Sequence, residues 1–300
     1  MSFAPAERRQ LAWITAGAIV VFVTLRVLPT GTNLSHMDFR VDPRGGNSIE
    51  FCDPLNPQFI PVVAARSPVA MTLSTATSPR VGVATRATLT LKTAGGKSVA
   101  VADLLETHTR RLHLLLIDPT LADYQHVHPE PNGEPGGWSF TFTPRRAGAY
   151  RVFADFTPAA TARGLYASVD LEVAAGVERN TGEIGTGRSG FTFALVPASR
   201  PPRVGQPIDL RFAISRPDGA AIPLEPVMGA YAHLVAFDAT RSGFAHLHPT
   251  EADLLKKPDA TQPALNFKLT IPRAGRYTIW AQVNIGGSET FVPFELEVVE

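Results

Sequence analysis

Between residues 67 and 300 apolar and polar positions alternate in short runs: Ala87-Thr88-Leu89-Thr90-Leu91, Trp138-Ser139-Phe140-Thr141-Phe142, Ile208-Asp209-Leu210-Arg211-Phe212 and Leu265-Asn266-Phe267-Lys268-Leu269. Successive side chains of a strand point to opposite faces, so a period of two predicts strands with one buried face each. Turn signals such as Gly95-Gly96 and Asp218-Gly219 follow the early runs, and 26 prolines and 24 glycines spread along the chain suit many short strands. Helical patterns are scarce. Only Val101 to Glu106 and Glu251 to Leu255 offer a helical turn or two, and both fall in connections. The fold class this predicts is all-β.

The N-terminus breaks the pattern. Arg8 and Arg9 precede an apolar run from Leu11 to Leu25 that Val27 and Leu28 extend past Arg26. About 18 residues at 1.5 Å each reach roughly 27 Å, the span of a thin hydrocarbon layer, and Arg26 sits where its side chain can reach the headgroups. This predicts an N-terminal transmembrane helix, with the lipid bilayer as a partner through residues 11–28. The competing expectation is a cleaved signal peptide, for which Thr30-Gly31-Thr32 is a poor cleavage site. Either puts the remainder outside the cytoplasm.

The alternating part of the chain occurs twice. Pro79-Arg80-Val81-Gly82 returns as Pro202-Arg203-Val204-Gly205, Arg146-Ala147-Gly148-Ala149-Tyr150 as Arg273-Ala274-Gly275-Arg276-Tyr277, and Leu171-Glu172-Val173 as Leu296-Glu297-Val298. The expected organisation is a cytoplasmic N-terminus and anchor (1–29), an extended tether (30–66), a first domain (67–174), a linker (175–188) and a second domain (189–300). About 100 residues with some seven strands, and a tyrosine after a glycine turn at the head of a late strand, predict tandem immunoglobulin-like β-sandwiches. The tether is expected to carry a short strand docked on the first domain. The alternative gives its His36, Met37 and Cys52 to copper as soft ligands.

Six of the eight histidines lie in the repeat. His113, Asp118, His126, His128 and Pro129 map onto His233, Asp238, His246, His248 and Pro249 at a constant offset of 120. A hairpin with 118 opposite 123 puts 113 opposite 128. His113, His126 and His128 then share one face with Leu115, Ile117 and Tyr124, and His233, His246 and His248 share one with Val235, Phe237 and Phe244. Side chains at i and i+2 of one strand and one from its neighbour can aim three imidazoles at a single ion about 2 Å from each nitrogen, unless a bulge flips one away. His108 and Met228, also 120 apart, are candidate fourth ligands. Both suit copper, so copper or another divalent transition metal is the expected cofactor. The apolar neighbours on the same faces equally allow histidines that merely edge a core. Asp118 and Asp238 point to the other face and are expected to cap the turns.

Charge and cysteine content remove other classes. With 28 basic and 27 acidic side chains the chain is no nucleic-acid binder. A lone Cys52 excludes a disulfide framework, a thiolate zinc ribbon, haem attachment and a blue-copper site. No nucleophile or paired-carboxylate motif flanks the histidines, so no enzyme is predicted. A three-histidine metalloenzyme ranks behind a structural or protein-interaction module, and both behind metal binding.

The stretches Met228-Gly229-Ala230-Tyr231-Ala232-His233-Leu234-Val235-Ala236-Phe237 and Phe244-Ala245-His246-Leu247-His248-Pro249 resemble exported bacterial proteins with immunoglobulin- or cupredoxin-like sandwiches, a group linked to heavy-metal and particularly copper handling. The first repeat departs from this at Glu106-Thr107-His108-Thr109-Arg110. The resemblance implies an exported location and metal binding, and transfers no activity. Together with the N-terminal run and the histidine triads, the leading expectation is a single-pass bacterial inner-membrane protein facing the periplasm that sequesters or delivers metal, with a membrane or periplasmic protein as partner.

Overall fold

The computed structural model describes residues 4–27, 34–39, 57–176, 190–198 and 201–300. Cys52, and with it part of the suggested soft-ligand set, lies outside them. Among the described residues, apart from one long helix, α1 (Pro5–Val27), and short 3-10 turns, the regular structure is β and builds the same two-layered unit twice.

In the first repeat one sheet holds β1 (Val69–Thr75), β2 (Thr85–Thr93), β7 (Gly137–Phe142) and β6 (Glu130–Pro131) in that order. The other holds β5 (Tyr124–Val127), β4 (Leu112–Ile117), β8 (Gly148–Pro158) and β9 (Leu165–Val173), with β3 (Leu104–Leu105) at the end of β8. The second repeat follows the same plan. β10 (Thr192–Pro197), β11 (Pro207–Ser215) and β15 (Ala264–Thr270) form one sheet. β14 (Phe244–Leu247), β13 (His233–Asp238), β16 (Gly275–Ile285) and β17 (Ser288–Val298) form the other, with β12 (Leu224–Glu225) on β16.

Alternation sorts the side chains. On β4 Leu112, Leu114 and Leu116 enter the first repeat's own core with Leu89, Leu91, Trp138 and Phe156. Leu115 and Ile117 turn the other way and are also fully buried, because the second repeat covers them: they pack with Tyr124, Phe153, Val235, Phe237, Phe244 and Trp280 in a third core between the repeats. Tyr124 meets Phe237 at 5.5 Å and Phe153 meets Phe244 at 5.3 Å, centroid to centroid. Polar contacts cross here too, with Arg241 Nη1 donating to Ala149 O at 2.6 Å and Trp280 Nε1 to Leu121 O at 3.1 Å. Both tyrosines after the glycine turns reach backbone four residues upstream. Tyr150 Oη accepts the Arg146 N–H at 3.2 Å, and Tyr277 Oη donates to Arg273 O at 3.0 Å.

The N-terminal expectation needs correction. No helix among the described residues is long and apolar enough to cross a membrane, which overturns the single-pass inner-membrane placement. The first turns of α1 go to Glu7, Arg8, Arg9 and Gln10, while Thr15, Gly17 and Thr24 dilute the apolar run before Arg26 ends it. The stretch from Leu11 to Leu25 measures only about 22 Å, against a hydrocarbon core of about 30 Å.

The tether docks on both repeats, not on the first alone. Leu34, and Phe39 at the end of a 3-10 turn (His36–Phe39), enter the first repeat's core. Farther on, Phe59 enters the second repeat's core, Ile60 and Val62 enter the core between repeats, and Ile60 pairs with Phe244 through N–H···O bonds of 2.8 and 3.1 Å. Gly243 permits that approach, since a Cβ there would lie 1.8 Å from Ile60 O.

Candidate metal centre

The hairpin register predicted from spacing is the one observed. Leu115 faces His126 and Ile117 faces Tyr124; Val235 faces His246 and Phe237 faces Phe244. Asp118 caps its turn by accepting the N–H groups of Thr120, Ala122 and Asp123, and Asp238 accepts that of Ser242. No bulge intervenes, so each hairpin gathers its three imidazoles. One nitrogen from each of His113, His126 and His128, and likewise from each of His233, His246 and His248, lies within 4.8 Å of the other two. Ligands of one ion at about 2 Å sit at most about 4 Å apart, so the rings need a small inward rotation to share an ion.

The triads are near copies. Ring centroids stand 5.4, 5.0 and 4.8 Å apart in the first and 5.6, 4.7 and 4.8 Å in the second. The two triads lie side by side, not at opposite ends of the tandem repeats. The outward face of each hairpin meets the other, so His126 lies 5.3 Å from His246, and His113 lies 5.7 Å from it. With His108, seven imidazoles form one cluster between the repeats.

Hydrogen bonds fix which nitrogen is available in four of the rings. His113 Nε2 donates to Thr107 O at 3.0 Å and His233 Nε2 to Val227 O at 2.9 Å. His126 Nδ1 donates to Gln282 Oε1 at 2.8 Å and His246 Nδ1 to the Asp155 carboxylate at 3.1 Å. Gln282 and Asp155 belong to the opposite repeats, so each triad is oriented by a side chain of the other. Four rings thus spend their N–H outward, and lone pairs face inward. His113 Nδ1 and His126 Nε2 stand 3.2 Å apart with no proton left to share. His128 Nε2, His233 Nδ1, His246 Nε2 and His248 Nε2 are buried with no hydrogen-bond partner in the protein.

Burial keeps the rings neutral. It lowers His126, His246 and His248 well below the ordinary imidazole value, with neighbouring histidines adding to the effect. It takes His128 to about 3 and His233 to about 4. His108 and His113 are lowered by burial as well, against the opposing pull of Asp155. Asp155 itself is raised by burial, with His113 and His108 acting in the other direction. Neutral imidazoles with donors pinned outward and lone pairs inward are the state in which histidine binds a transition metal.

His108 and Met228 occupy the tips of equivalent two-residue turns, both at φ 50, where a side chain costs strain. Gly229 beside Met228 adopts φ 77, and the two tips meet near Thr109. His108 lies outside the two groups of converging nitrogens. Its ring stacks on His248 of the second at 3.6 Å and 17°. Met228 is half-buried. His36 is exposed and belongs to neither group. Sequence reasoning missed Asp155 and Gln282; their only signal is that each sits beside a triad histidine in the sheet, opposite His113 and His233 respectively.

The chain belongs to the family described as "Domain of unknown function (DUF8832)", which matches residues 65–174 and again 187–300. No curated protein matches the chain.

Proposed function

We propose that this pair of family repeats forms one metal-binding unit that holds an ion in each histidine triad, copper foremost, for sequestration or delivery rather than catalysis. The observation that carries the reading is the inward convergence of unprotonated nitrogens, above all the 3.2 Å approach of His113 Nδ1 to His126 Nε2. Two lone pairs at that distance repel unless a cation lies between them. Burying polar nitrogens without partners costs roughly 1–3 kcal/mol each, which a bound ion would reverse. Imidazole-only donors suit copper, zinc and nickel, and copper binds such sites most strongly among the divalent ions. The upstream tyrosine contacts and paired layers favour an immunoglobulin-like sandwich for each repeat.

The test is titration of the metal-free chain with Cu(II) and Zn(II) by calorimetry, followed by metal analysis. Two ions per chain are expected, one after either His128→Ala or His248→Ala, and none in the double variant. Absence of stoichiometric binding, or binding unchanged in the double variant, refutes the proposal. If the histidines are purely architectural, the substitutions lower the melting temperature equally with and without metal.

A further inference from the structure

The two sites differ in what surrounds them. A cleft of about 540 Å³ borders the first triad, with two of its histidines, His126 and His128, in a lining that includes Arg86, Arg110, Glu130 and Ser139. Arg110 is exposed, and its charge helps to lower His113 and His128. Among the described residues the Arg86 guanidinium hydrogen-bonds to Ser139 Oγ, at 3.4 Å. Among the described residues neither guanidinium has an ion-pair partner. The second repeat carries Asp209 where the first has Arg86, and Asp209 is paired with Lys268 at 3.5 Å. In place of Arg110 it has buried Ala230, and its His248 is roofed by the stacked His108.

Placing two free guanidiniums beside a cation site opposes metal binding unless a negative charge joins them. Three neutral imidazoles leave the net charge of a divalent ion intact, and Glu130 alone does not offset it together with two arginines. Three protein ligands also leave a coordination position open. An anion with two or more oxygens meets all three demands: one oxygen on the ion and the others on a planar arginine fork.

We infer that the first triad, with Arg86 and Arg110, is a binding site for a small oxyanion such as a carboxylate, carbonate or phosphate, and that the second triad is closed to such ligands. The inference rests on the metal-binding reading above. Its test uses the full chain loaded with two equivalents of Co(II), titrated at constant ionic strength with acetate, bicarbonate and phosphate while the ligand-field absorption is followed.

At least one oxyanion is expected to perturb one of the two ions. Arg86→Ala with Arg110→Ala should retain both ions and weaken that oxyanion at least tenfold. His128→Ala should remove the perturbation and leave the spectrum of the second ion unchanged. A loaded chain that responds to none of the three anions overturns the inference and leaves metal binding standing. So does a response unchanged by the arginine substitutions or surviving in His128→Ala. Failure of the unsubstituted chain to take up two ions overturns the metal reading, and this inference with it.

Discussion

Gln282 belongs to the second repeat, yet its carboxamide oxygen holds the Nδ1–H of His126, in the first triad, at 2.8 Å. Gln282→Leu keeps the side chain's bulk at a position only 2% exposed and removes the acceptor. His126 is then left with a buried donor and no partner, a cost of roughly 1–3 kcal/mol, and its ring loses the contact that aims Nε2 inward. Removing such an orienting partner lowers metal affinity by about 10–100-fold, or about 1.4–2.8 kcal/mol at 1.4 kcal/mol per decade, in agreement with the first figure. Gln282 Nε2 also donates to Glu289 at 2.8 Å, but Glu289 is exposed and water replaces that bond cheaply. The effect should therefore cross between repeats. In a His248→Ala background, which isolates the first triad, Gln282→Leu should raise the calorimetric Kd at least tenfold. In a His128→Ala background, which isolates the second, the change should stay below threefold. Equal losses in both backgrounds, or a loss confined to the second triad, would refute the exchange of orienting residues.

Three further outcomes follow from the same geometry. Without metal the chain should lose stability as pH falls below 6.5. The unfolded histidines take up protons there, whereas folded His128 and His233 resist until about 3 and about 4, so the loss spreads across that window. Melting temperatures from pH 7.5 to 4.5 check this, and His128→Ala should flatten the slope; an unchanged slope counts against it. Gly243→Ala places a Cβ against Ile60 O, displaces the segment that seats Phe59, Ile60 and Val62, and should cost about 2–5 kcal/mol in urea denaturation. Phe237→Ala opens the core between the repeats and should cost about 3–5 kcal/mol, weakening metal binding at both triads when followed by chelator competition.

The hairpins were legible in sequence because their register follows from period-two alternation and from where Asp118 and Asp238 cap the turns. The triads then come from counting along two strands. What covers them was not legible. Leu112 to Ile117 reads as apolar on both faces, which signals a strand buried on both sides but does not name the second cover. That cover is the other hairpin, and the contacts that orient the rings, His126 with Gln282 and His246 with Asp155, join residues far apart in the chain. Spacing within one repeat carries no information about such contacts. Spacing thus gives one triad per repeat but does not show that the two triads lie side by side, nor that His108 stacks on His248 of the other repeat. The apolar run after Arg9 misled for a related reason: hydropathy was counted through Arg26, although the arginines and the interspersed Thr15, Gly17 and Thr24 leave too short a span.

The strap at Ile60 bears on how the molecule is made. A ribosome delivers residues 57–63 ahead of the entire first repeat, but their partners Phe244 and Thr270 emerge only near the end of synthesis. The first repeat can close its own core while the strap waits, with Phe59 lacking the core it enters and Ile60 lacking its strand partner. Pairings of such long sequence separation form slowly, because the intervening loop must be closed before any contact rewards it. A segment made early is then seated only after the strands that hold it have been made. A nascent chain stalled before Phe244 should be held open there, a ready target for chaperones or proteases.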